Sequence, residues 1–75
     1  MITMLKASSH RGVIVETEIK KIDGDTVHPM KGGADRMNNG YSKYFKEDER
    51  EEAVAWIIMK RARSGLPIIK KGDIK

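Results

Sequence analysis

The chain is predicted to be α+β, a small antiparallel sheet of three to four strands with one helix packed across it. Three features lead there. Val13 to Ile22 alternates in polarity and runs into Asp23-Gly24. Val54, Ile57, Ile58 and Ala62 recur at helical spacing and are followed by Ser64-Gly65-Leu66-Pro67. The whole is 75 residues, enough for a single small domain spanning 1–75.

The elements follow in order. Residues 2–6 suit a short strand, with a polar turn through Ala7–Arg11. In the second strand Val13, Val15, Thr17 and Ile19 share one face and Glu16, Glu18 and Lys20 the other, the period of two of a half-buried strand. Asp23-Gly24 tolerates positive φ at both central positions of a type I′ turn and predicts a reversal into a partner strand near Asp25–Met30. That strand ends or lies at an edge at Pro29, which has no amide donor. Pro29–Tyr44 reads as a long loop holding Gly32-Gly33 and Asn38-Asn39-Gly40, the latter a second turn signal. Tyr41-Ser42-Lys43-Tyr44-Phe45 alternates and reads as a returning strand.

Asp48 with Glu51 three residues later predicts a capping box at the helix start. Ala55 and Met59 broaden the apolar stripe, and Trp56 falls beyond its edge among Glu52, Lys60 and Arg63. At the other end Gly65 supplies a left-handed cap, Leu66 folds back and Pro67 forbids continuation. Ile68-Ile69 reads as a short edge strand.

With no cysteine, neither a disulfide framework nor a thiolate zinc site is available. No run approaches the roughly 18 apolar residues of a membrane span. The opening Met1-Ile2-Thr3-Met4-Leu5 meets Lys6 too soon for a signal peptide, so a cytoplasmic protein without membrane contact is expected. The net charge of +4 is segregated. Residues 47–52 hold five acids and one base, whereas residues 53–75 hold six bases and one acid. Acid at a helix start and base at its end complement the helix dipole without any ligand.

Catalysis is not expected, nor is a cofactor. His10 and His28 have no metal-ligand spacing, Asp23 and Asp25 do not continue into a calcium loop, and no serine sits in a nucleophile elbow. Gly32-Gly33 lacks the following Lys-Ser or Lys-Thr of a phosphate loop. The favoured reading is a small regulatory or inhibitory module that binds and occludes another protein, as accessory proteins of phages and mobile elements do. Its contact residues would be Met30, Lys31, Arg36, Met37, Tyr41 and Tyr44 in the long loop, while Trp56 reads first as a lid over the edge of the core and second as an anchor for the partner. The alternative is a basic DNA- or RNA-binding protein whose Lys60, Arg61, Arg63, Lys70 and Lys71 contact phosphates. Both readings accommodate a homodimer through a strand edge at Ile68-Ile69 or Ile2–Leu5.

Overall fold

Five antiparallel strands and one helix make up the computed structural model, which describes residues 2–75. The strands are β1 (Ile2–Ser8), β2 (Val13–Asp23), β3 (Thr26–Pro29), β4 (Asp35–Arg36) and β5 (Ser42–Lys46). Helix α1 (Arg50–Arg63) follows, and a short 3₁₀ turn occupies Lys71–Asp73. The fold is α+β, with five strands in place of the three to four expected. Sheet order is β4-β3-β2-β1-β5, which places the first strand in the middle. No helix among the described residues is long and apolar enough to cross a membrane.

The expected hairpin is present, with Asp23 paired to Thr26. Gly24 (φ 61°) carries the only positive φ at this turn, the pattern of a type II′ connection with glycine in the first central position. The uniform alternation expected of β2 is not kept. Ile14 is buried beneath α1, Val15 is exposed, and Ile19 is buried on the opposite face. A bulge between Ile19 and Lys21 then reverses the parity. Ile22, three residues after Ile19, thereby pairs with Val27 on Ile19's own face.

Each face has its own core. Leu5, Ala7, Ile14 and Phe45 pack against Ala53, Val54, Trp56 and Ile57 of α1 and against Ile74. Met4, Ile19, Val27 and Tyr44 pack together on the other face, joined by Met37. The sheet curls around this second cluster until its edges meet. Tyr44 N–H donates to the Met37 carbonyl (2.9 Å), and Asn38 bridges to Lys43. Segment 29–44 is therefore ordered by strand pairing and is not one long loop. β4 was illegible because two residues flanked by glycines and asparagines show no period.

Ion pairing is sparse. Lys6 Nζ meets Asp35 Oδ2 at 3.0 Å, the only ion pair among the described residues. Tyr44 donates its hydroxyl proton to the same oxygen at 2.8 Å. Desolvation pushes the Asp35 carboxyl up, but the Tyr44 hydrogen bond, then Lys6 and the Arg36 N–H, outweigh it and hold the group below its usual range. Desolvation, with the bond to Asp35 and its charge, drives the Tyr44 hydroxyl well above its ordinary value.

The ends of α1 differ. The expected capping box is absent: Glu49 is the N-cap and makes no side-chain cap bond. Its carboxylate instead accepts the Lys46 N–H at 2.8 Å, tying the helix start to β5. The C-terminus follows expectation. Gly65 is left-handed (φ 72°), its N–H reaches the Ala62 carbonyl, and Leu66 N–H donates to Arg61 at 2.9 Å, the paired bonds of a Schellman motif. The buried face is rotated from the expected stripe. Ala53, Trp56, Ile57 and Arg61 face inward, while Met59 and Ala62 are exposed.

Ile68-Ile69 forms no strand. The Pro67 carbonyl is taken by Arg61, and Ile69 lies against Gly12 instead of beside a strand. Ile68-Ile69 therefore offers no strand edge to a second copy, and within Ile2–Leu5 only Met4 and Leu5 pair with both β2 and β5, while Ile2 and Thr3 pair with β2 alone.

Candidate functional site

The residues singled out in the sequence fall into three groups. Tyr44 (4% exposed) and Trp56 (9%) are core residues, the latter meeting Phe45 edge-on at 6.1 Å between centroids. Met37 is half-buried against the second core. With so little of either exposed, Tyr44 and Trp56 serve the core first and are weak members of the expected contact set. Met30 and Lys31 line a groove of about 400 Å³ beside Glu16 and Glu18, Arg36 is exposed on β4, and Tyr41 lies elsewhere. The loop residues do not converge on one surface.

The segments that carry the basic residues are tied together, and Arg61 is what ties them. The residue is only 7% exposed. Nη1 donates to the carbonyls of Ser9 (2.9 Å) and His10 (2.8 Å), and Nε donates to Pro67 (2.8 Å). A buried cation needs such partners, since an unmet charge in the interior is costly. Arg61 is thus committed to backbone acceptors and is corrected out of the phosphate-contacting set. By holding turn 9–12 and the segment after α1 against the last helical turn, it ties to one end of the molecule the three stretches that carry Arg11, Lys60 with Arg63, and Lys70 with Lys71. Of these, Arg11, Arg63, Lys70 and Lys71 are exposed and Lys60 is half-buried. None has a carboxylate within ion-pair distance, and Asp73 is the only acid in this stretch of the tail.

Tyr41 belongs to the same pole. Ser9 donates to its carbonyl from both the backbone (2.9 Å) and the side chain (3.0 Å). Asn39 Oδ1 accepts the Tyr41 and Ser42 N–H groups at 2.9 and 2.7 Å, closing an Asx-type turn. With its backbone fixed, Tyr41 presents a 64% exposed ring whose centroid lies 5.0 Å from that of His10. Sequence reasoning assigned Tyr41 to a different surface and gave His10 and Arg11 no part. Asn38-Asn39-Gly40 announced a turn, but no local signal says that it docks on residues 30 positions upstream.

The opposite pole is acidic. Glu47, Asp48, Glu51 and Glu52 are exposed around the start of α1, about 21 Å from its end at 1.5 Å per residue. Among the described residues, no cluster of three or more His, Cys, Asp or Glu is placed to hold a metal. Comparison with protein-family models, curated proteins and solved structures finds no match to this chain.

Proposed function

We propose that the protein is a small single-stranded nucleic-acid-binding module, using Arg11, Lys60, Arg63, Lys70 and Lys71 on phosphates and Tyr41, steadied by His10, as a platform for one base. The observation that supports this is an exposed Tyr41 beside His10, itself on the turn that Arg61 ties to the basic end of α1, with cations there that have no ion-pair partner. Phosphates supply the missing counter-charge, and every base offers a face for stacking. The acidic pole keeps the strand at one end of the molecule, because like charge repels it.

Fluorescence anisotropy with a labelled random oligonucleotide at two salt concentrations tests the reading. With five phosphates engaged, log affinity should fall against log salt with a slope of about −3.5. Tyr41→Ala should weaken binding roughly 5- to 50-fold and leave the slope unchanged. Lys70→Glu should weaken binding and flatten the slope by about 1 or more. Absence of binding at low salt, or loss that ignores the pole, defeats the proposal.

A protein-occluding role is the second reading, favoured by the groove carrying exposed Met30 beside Lys31. It draws on residues remote from the basic pole. Lys31→Glu therefore discriminates, since it should leave oligonucleotide binding within about twofold of wild type by the phosphate-contact argument.

A further inference from the structure

A groove of about 430 Å³ opens at the acidic pole, and its lining is dominated by apolar side chains. Ile2, Ile22, Met37 and Tyr44 line it, with Glu47 and Glu49 on the rim and Lys46 as the one base. Ile2 and Ile22 are exposed here, although both belong to strands whose other apolar residues are largely covered. The opposite pole carries the converse. Ile68 is 80% exposed, the most exposed of the large apolar side chains, and it lies in an irregular segment between Pro67 and Lys70-Lys71. One end is an apolar recess with an acidic rim; the other is an apolar knob with a basic flank.

The two cannot meet within one molecule. β1 runs from the groove at Ile2 to the turn held by Arg61, and α1 runs between the same two ends, so the knob and the groove lie at opposite ends of these elements. We infer that the groove receives the Ile68 segment of a second copy, joining molecules head to tail. Shape and charge both favour this occupant. A branched aliphatic side chain enters the apolar recess while Lys70 and Lys71 approach Glu47 and Glu49. Because a heterologous contact of this kind leaves a free knob and a free groove at the two ends, copies add in a row and do not close as a symmetric pair. One inserted side chain with its charged flank is a small interface, so the association is weak and weakens further with salt. The inference stands independently of what the basic pole binds.

Sedimentation velocity on the full chain, freed of nucleic acid, tests it at low salt between about 10 µM and 1 mM, the range suited to a weak small interface. Wild type should show a weight-average mass rising continuously above 8.5 kDa with concentration. Ile68→Asp removes the knob and keeps the groove; the pair Ile22→Lys and Glu47→Lys spoils the groove and keeps the knob. Each variant alone should remain monomeric, with unchanged circular dichroism because all three positions are exposed. Mixed together they retain one sound knob and one sound groove, so they should form one-to-one complexes and nothing larger. A monomeric wild type throughout, association indifferent to these substitutions, a dimer that does not grow, or a mixture that stays monomeric overturns the inference.

Discussion

Arg61 sits in the last turn of a helix, where a cation is ordinarily accounted for by the dipole alone. Its three carbonyl acceptors give it another task, linking α1, turn 9–12 and Pro67. Arg61→Ala should cost about 2–4 kcal/mol in urea unfolding, since charge-assisted bonds are lost and carbonyls are left poorly satisfied. Arg61→Lys should recover less than half of that, because an ammonium cannot span the guanidinium's fork. A loss under about 0.5 kcal/mol, the range of ordinary surface substitutions, would remove Arg61 from this role. The role was hidden in the sequence because its acceptors are backbone oxygens, which leave no residue signature. Tyr44 and Asp35 make a second test. The Asp35 carboxyl is held below its ordinary 3.8, so its contribution is present above that pH and is lost as pH falls through the lowered folded value. The Tyr44 hydroxyl is held above its ordinary 10.0, so its contribution is present below that pH and is lost as pH rises toward the raised folded value. Tyr44→Phe should therefore narrow its deficit against wild type both below about pH 4 and above about pH 10. Parallel unfolding-midpoint profiles across the whole range would refute the coupling.

At the level of elements, what the sequence revealed was what neighbouring residues decide. Asp23-Gly24 placed the hairpin and Ser64-Gly65-Leu66-Pro67 ended the helix, each through backbone preferences acting over four residues. β4 and the Ile68-Ile69 segment were misread because distant partners decide them. Asp35–Arg36 becomes a strand by pairing with Thr26 and Val27, and Ile69 is held by Gly12, 57 positions away. The bulge in β2 likewise follows from the needs of two opposed cores. Two glycines separate local from distant causes experimentally. Gly65→Ala places a side chain at φ 72° in open space and should cost about 1 kcal/mol. Gly12→Ala adds to a similar φ of 66° a Cβ that collides with Ile69 Cδ1, so it should cost more. It should also speed hydrogen exchange at Ile14, whose N–H donates to the Lys75 carbonyl in the same docked tail. Equal costs for the two substitutions would mean that the tail yields freely.

For the molecule as a whole, charge segregation was legible as blocks along the chain, and α1 converts those blocks into two poles. The makeup of the basic pole was only half legible. Lys60, Arg63, Lys70 and Lys71 are near in sequence, but Arg11 and the Tyr41–His10 pair arrive through the order of the strands. That order was illegible, because β1 shows no mark of taking β5 as well as β2 for a partner. The same polarity bears on both proposals, since Lys70 and Lys71 flank Ile68. Bound oligonucleotide should therefore compete with head-to-tail contact, and the two are best measured apart.

The central position of β1 also has a consequence for biogenesis. A ribosome finishes β1 and β2 by Asp23, yet β5 begins at Ser42 and α1 ends at Arg63. At about 5–20 residues per second, some 2–8 s pass between completing β2 and completing the helix. During that interval the nascent hairpin carries Leu5, Ala7 and Ile14 without their cover, and an open strand where β5 will lie. The central strand therefore cannot be flanked on both sides until residues 42–46 have been made, and its helix-facing side cannot be covered until α1 is complete. The core on the α1 side thus closes only when the chain is nearly finished, and a truncation before Arg63 should leave Leu5, Ala7 and Ile14 uncovered.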